Sequence, residues 1–299
     1  ARDAEEAVDG MVFSFSDVTA RRIAEQQLER YASELRDRNT QMEADLTMAR
    51  EVQMGLLPNH LPTLPAAAPP EQAALRCARF YQPSTTVGGD FFHVQALSER
   101  AVGVFVCDVM GHGMRAALVT AIVRGLLEES RALSQDPGAL ITRLNQALVA
   151  ILRPSGEFLF VSAVYAIVDL EQATVRMALA GHPAPLRIHA SLTAPEILFD
   201  RAARGPALGV RETHSFATTT HPIQAGDRLL FYTDGLIEAE NSAREEWGVE
   251  RLRASLQTHA AQPLEAWIST VVAEAASFGD GRPFEDDVCV VGVEIVRLS

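Results

Sequence analysis

Cysteine is scarce in this chain of 299 residues, with only Cys77, Cys107 and Cys289. They are widely spaced, none forms a CxxC pair or adjoins a histidine cluster, and each lies in an apolar stretch. A disulfide framework and a zinc site are therefore excluded, and the thiols read as reduced core side chains of a cytoplasmic protein. Cations are also in deficit: 26 basic residues face 39 acidic ones, a net charge of −13. The clustered Lys and Arg that a nucleic-acid backbone demands are missing, so no nucleic-acid partner is expected. No uninterrupted apolar run reaches the roughly 18 residues of a membrane span, and no charged-then-apolar signal opens the chain. Because it begins at Ala1 without an initiator methionine, the chain is expected to lack an upstream part.

What is present can build a large core. Hydrophobic residues make up 47% and charged residues 22% of the chain, in the range of an ordinary folded domain. Residues 10–22 alternate like a strand and end in Asp17, Val18 and Thr19 before a basic pair. Residues 23–57 contain no proline and no glycine before Gly55, and are dense in good helix formers. Leu28, Leu35, Met42, Ala49 and Leu56 recur at intervals of seven, the a positions of a coiled coil. The companion stripe, Tyr31, Arg38, Asp45 and Val52, is poor. One clean seam and one polar seam predict a linker helix that forms a homodimer of modest strength.

Pro58 ends that helix, and residues 58–71 form a proline-rich connector. Residues 72–299 make up the large domain. Strands are expected at 75–81, 91–97, 101–109, 158–170, 174–180, 185–190, 227–233 and 288–296. Helices fit 114–133, 138–152, 249–260 and 263–278. Strands in neighbouring pairs, with helices added in pairs, favour an α+β layered sandwich of antiparallel sheets over a βαβ repeat.

Four aspartates share one context, the edge of an apolar strand beside glycine or another acid. Asp90 follows Gly88 and Gly89; Asp108 ends "VGVFVCD"; Asp234 ends "DRLLFYTD" before Gly235; Asp286 and Asp287 precede "VCVVGV". One alone would be a turn residue. Together, at the ends of strands in shared sheets, they would converge and repel unless a cation neutralised them. The donor set is oxygen-only, which selects a hard ion of octahedral preference, Mg2+ or Mn2+. Carboxylates from several strands suit two ions with one bridging aspartate, a pair that would activate a shared water near neutral pH. The neighbouring glycines are expected to let the backbone approach the ions.

The motifs "VGGDFF", "CDVMGHGMRAAL", "AGHPAPL", "GPALGV", "GDRLLFYTDGLIEA" and "DDVCVV" occur in this order. In that order they resemble the SpoIIE/RsbU-type serine/threonine phosphatases of the PP2C-like (PPM) metal-dependent class. "LTMAREVQMGLLP" is similar to the helix that precedes the domain in many members. "MVFSFSDVTARR" resembles, over a dozen residues only, the last strand and exit of a PAS sensor domain, and would make residues 1–22 its remnant. The resemblance implies a PP2C-like α-β-β-α sandwich with metals at one edge. It assigns Asp90 and Asp108 to the metal pair, with Asp108 as bridge, and adds the Val109 backbone carbonyl. Asp234 and Asp286 would bind from the other side, and Asp287 is the poorer ligand of its pair.

Two departures stand out. His93 replaces an acid common three residues after the GGD aspartate, and Cys289 replaces a serine or threonine and reads as core packing. His112 and His182 read as turn residues more than as general acids, and no arginine is assigned as a phosphate clamp. Three readings follow. The first is a metal-dependent phosphoprotein phosphatase in which metal-activated water attacks phosphoserine or phosphothreonine. By resemblance its substrate would be a phosphorylated STAS-domain anti-sigma-factor antagonist, and an upstream sensor would act through the dimeric linker. The others are a non-catalytic scaffold of the same fold and a small-phosphoester hydrolase.

Overall fold

The computed structural model describes residues 13–66, 69–153, 159–189 and 194–298. Residues up to Thr47 and residues from Met48 onward pack as separate units. Most of the first unit is helix α1, Thr19–Leu56, whose 38 residues correspond to an axis of about 57 Å. It begins four residues before the expected start, because Asp17 accepts the N–H of Thr19 at 2.9 Å in a local turn that launches the helix. The strand expected over residues 10–22 is corrected on this point. Residues 10–12 lie outside those described, residues 13–18 form no strand, and Thr19 onward is helix. The heptad side chains Leu28, Leu35 and Met42 are 70%, 60% and 61% exposed, so among the described residues nothing covers that part of the seam, whereas Leu56 at its end packs against the core. Among the described residues no helix is long and apolar enough to cross a membrane.

From Met48 onward the chain builds two sheets faced by helices, as the α+β expectation required. One sheet runs β2 (Asp90–Ser98), β3 (Ala101–Val109), β4 (Val161–Asp169), β5 (Thr174–Ala180) and β8 (Arg204–Gly205), with β9 (Thr219–Pro222) also on β5. The other runs β1 (Leu75–Gln82), β11 (Val288–Ile295), β10 (Arg228–Tyr232), β6 (Leu186–Ile188) and β7 (Glu196–Ile197). Helices α2 (Met114–Glu129) and α3 (Pro137–Leu152) cover the first sheet, and α5 (Leu264–Phe278), with α4 (Gly248–Thr258) packed on it, covers the second. The inner strands are covered on both faces. Hence β3 and β4 read as continuous apolar runs, each buried throughout except at an aspartate.

Phe91, Phe105, Ile167, Phe231 and Val291 belong to the larger buried cluster, to which both sheets contribute. Trp267, Ile268, Leu230 and Val290 form a second cluster beneath α4 and α5. Sequential pairing holds for β2 to β5, for β6 with β7 and for β10 with β11, and fails elsewhere. Strand β1 pairs with β11, β10 reaches β11 across two intervening helices, and β8 lies parallel to β5. Strands β7, β8 and β9 were not anticipated, since two to four residues cannot display a period.

Fully buried Asn145 on α3 ties down the loop that follows β8. Its amide donates to the Arg211 carbonyl at 2.7 Å and its oxygen accepts the Gly209 N–H at 3.0 Å. Asn145→Ala leaves both backbone groups unpaired and is expected to remove about 1–3 kcal/mol of stability in urea denaturation.

Candidate active site

Strand pairing brings the first two aspartates together. Asp90 opens β2 and Asp108 lies one residue from the end of β3, and the two are direct cross-strand partners, so their side chains share one face of the sheet. Asp234 begins a short 3-10 turn, Asp234–Leu236, at the end of β10. Asp286 and Asp287 immediately precede β11. Because β10 and β11 are neighbours, both sheets deliver their carboxylates to the same edge.

The electrostatics record this convergence. Asp90 is 1% exposed, and burial, then the Asp108 charge, hold its carboxyl well above the carboxylate range. Burial pushes Asp108 up to about 8, with Asp234, Asp286, Asp287 and Glu238 adding repulsion. Asp234 is raised by burial and by Asp286. The donor chemistry fits a hard divalent cation, since the carboxylates are acceptors held in mutual repulsion that such an ion would relieve. Among the described residues no three Asp, Glu, His or Cys side chains close on a common point.

Asp287 does something different from its neighbour. One carboxylate oxygen accepts the Ser84 N–H at 2.7 Å and the Ser84 hydroxyl at 3.0 Å, and the other accepts the Gly89 N–H at 2.5 Å. It is 2% exposed and pins the loop that carries Asp90. Asp286 is half-buried and accepts only the Asp287 N–H, at 2.7 Å, within the described contacts.

Three further residues, missed by sequence reading, complete the frame. Thr233 is fully buried; its hydroxyl donates to Asp90 Oδ2 at 2.7 Å and accepts the Cys289 N–H at 2.9 Å. This single hydroxyl ties one sheet to the other beside the acids, and its only sequence signal was its place before Asp234. Gln53, the buried residue of α1, hooks the backbone of Gly88 at both ends. Its Nε2 donates to the Gly88 carbonyl at 2.6 Å, and its Oε1 accepts the Gly88 N–H at 3.0 Å. The same Nε2 lies 3.3 Å from the Thr120 hydroxyl on α2. A heptad reading weighs apolar positions and passes over such a glutamine. The third is Glu238, raised by burial and by Asp234, which adds a carboxylate on the solvent side.

The glycines also serve the packing around the acids. A Cβ on Gly89 would stand 2.8 Å from the Val109 carbonyl oxygen, and one on Gly235 would collide with the Asp287 carbonyl. These glycines serve close backbone-to-backbone packing within the protein. Gly111 and Gly113 adopt φ of 83° and 82°, a conformation that favours glycine and turns β3 into α2.

His112 in that turn is solvent-exposed. His93 faces α2, near Arg124 and Glu128, rather than the acids. His182 is buried; its Nδ1 lies 2.8 Å from the Ser162 hydroxyl, and burial pushes the imidazole down to about 3, so it is neutral. Ser162 is in turn the β4 partner of Asp108. Cys107 and Cys289 are fully buried free thiols.

A family model for Stage II sporulation protein E (SpoIIE) matches residues 98–296. The chain belongs to the SpoIIE family. This SpoIIE-family chain is 24% identical over 217 residues to the phosphoserine phosphatase RsbP of Bacillus subtilis, covering 72% of this chain and 51% of RsbP. It spans about half the length of the curated relatives it matches. It superimposes on the SiaA-PP2C domain of Pseudomonas aeruginosa with a TM-score of 0.72 at 22% identity, over 86% of this chain and 98% of that one. The fold is therefore the PP2C-like sandwich. The catalytic domain of the serine/threonine protein phosphatase PstP, solved with two manganese ions, shares it at a TM-score of 0.53. That match has 17% identity and covers 74% of this chain and 98% of PstP.

The different partners of the two adjacent acids predict a split in stability. In metal-free urea denaturation Asp287→Ala is expected to cost about 2–3 kcal/mol, because the buried Gly89 N–H and both half-buried Ser84 donors lose their acceptor, whereas Asp286→Ala is expected to stay within about 1 kcal/mol.

Proposed function

We propose that this chain is a Mn2+- or Mg2+-dependent protein serine/threonine phosphatase. The observation that carries the reading is the arrival of Asp90 and Asp108 from one sheet, and of Asp234 and Asp286 from the other, at a single edge where burial and neighbouring carboxylates raise the pKa of Asp90, Asp108 and Asp234. Those four carboxylates and the Val109 carbonyl are the groups that would hold a metal pair. When bound, such a pair supplies Lewis acidity toward phosphoryl oxygens and lowers the pKa of water.

The rest is the work of the protein. The Thr233 hydroxyl takes one oxygen of Asp90 and so orients that carboxylate. Asp287 and Gln53 clamp the residues just before Asp90 from two sides. The buried face of the acids keeps bulk water from screening them. RsbP, a phosphoserine phosphatase by name, supports a phosphoprotein substrate. The family resemblance favours a phosphorylated STAS-domain protein.

Regulation is proposed to enter through residues 23–57 as a homodimeric helical linker fed by an upstream sensor. The exposed seam of Leu28, Leu35 and Met42 supports the dimer. Gln53 supports the coupling, since a register shift of α1 would pull directly on Gly88, two residues from Asp90.

Phosphate release from a phospho-STAS protein is expected to require Mn2+ or Mg2+, to stop with EDTA, and to fall at least about 100-fold in Asp108→Asn. Mn2+ should also raise the melting temperature of the unsubstituted chain in scanning fluorimetry and leave that of Asp108→Asn nearly unmoved. Turnover indifferent to both treatments would contradict the proposal. For the linker, Leu35→Arg combined with Met42→Glu is expected to convert a dimer to a monomer by light scattering and to change turnover.

A further inference from the structure

A pocket of about 350 Å3 opens beside the acids, and Asp234 lines it. Its other walls include Ile197, Phe199, Ile237, His182 and Arg204. Two features mark it as a built site. Ile197 and Phe199 are large apolar side chains left 41% and 40% exposed, yet β7, which leads into them, is anchored through Glu196. Arg187 on β6 is buried; it forms an ion pair with Glu196, the residue before Ile197, and donates to the Pro222 carbonyl. The apolar side chains are thus held at the pocket by a rigid support instead of folding into the core.

The second feature is polar. His182 is 8% exposed, and its Nε2 has no hydrogen-bond partner among the described residues while Nδ1 is engaged by Ser162. A buried donor or acceptor without a partner is costly, and here it belongs to a wall of the pocket.

Charge points to what the pocket takes. The chain has no lysine, so every side-chain cation is an arginine, and the net charge is −13. Arg204 is the arginine that lines this pocket; it is exposed on β8, with no ion-pair partner among the described residues. An acidic protein that must receive an acidic substrate needs a local cation, and a guanidinium next to apolar side chains suits a carboxylate carried on a peptide.

We propose that this pocket seats the residues flanking the phosphorylated serine or threonine of a protein substrate, with an apolar side chain against Ile197 and Phe199 and a carboxylate against Arg204. The inference rests on the phosphatase reading and deepens it. Asp234 lies at both the acidic edge and the pocket, so a phosphoryl group at the acids would leave its neighbouring residues in the pocket. Selectivity among phosphoproteins would then be set by β7, the loop after it and Arg204, apart from the acids that carry the chemistry.

Synthetic phosphoserine peptides with Mn2+ test it on the full chain. One peptide carries Leu and Glu on the N-terminal side of the phosphoserine, one carries them on the C-terminal side, and one has alanine throughout. Matching peptides replace Glu by Lys. The unsubstituted chain is expected to favour one Leu/Glu peptide over the alanine peptide by about ten-fold in kcat/KM. Arg204→Glu should reverse the preference toward the Lys counterpart, and Phe199→Ser should erase the contribution of Leu. Rescue by the charge-swapped peptide is a response that a loss of folding cannot produce. Equal turnover of all peptides, or a uniform loss in Arg204→Glu, would overturn the pocket assignment and leave the phosphatase reading intact. Hydrolysis of p-nitrophenyl phosphate with no turnover of any peptide would overturn the phosphoprotein reading and the pocket with it.

Discussion

Mutual repulsion among buried carboxylates is the constraint around which this domain is arranged. Asp90, Asp108 and Asp234 all sit where burial and the charge of neighbouring carboxylates oppose ionisation. Left to relax, such groups would move apart into solvent. They are kept together because none is free to move without disturbing a sheet. Asp90 and Asp108 are locked by strand register, and Asp234 and Asp286 by the pairing of β10 with β11. The apolar strands behind them supply the driving force that the acids themselves oppose.

Small polar contacts then convert that tension into a defined geometry. The Thr233 hydroxyl spans the two sheets at the point where the charges meet. The Asp287 carboxylate is spent on backbone donors around Asp90 instead of joining the cluster. Gln53 brings α1 into the same network through the Gly88 backbone. A helix that exposes Leu28, Leu35 and Met42 is therefore connected at its other end to the loop before Asp90 through the Gln53 side chain.

Much of the fold was legible because its inner strands are long and apolar and its helices are amphipathic or Pro-capped. The span of β3 and that of β5 match their sequence expectations residue for residue. Pro137, with Asp136 accepting the Ala139 N–H, starts α3 one residue before its expected first position. What escaped was short or non-local. Strands β7 to β9 are too brief for periodicity, and the β1–β11 pairing joins opposite ends of the domain. The apolar alternation before Thr19 resembled a strand, but residues 13–18 have no partner strand among the described residues to stabilise one.

The sequence by itself determined which residues gather at the candidate site: acids at strand ends, in an order shared with a phosphatase family, with no rival cluster of sulfur or imidazole. Composition and local context suffice for that, because strand ends and turn glycines are encoded within a few residues. Only the tertiary structure decided how those acids are held. It separated Asp287 from Asp286, set Thr233 and Gln53 against the loop before Asp90, and placed Arg204 and Phe199 around one pocket. Each of those assignments depends on contacts between residues far apart in the chain. Such contacts exist only once the sheets have packed and their register is set.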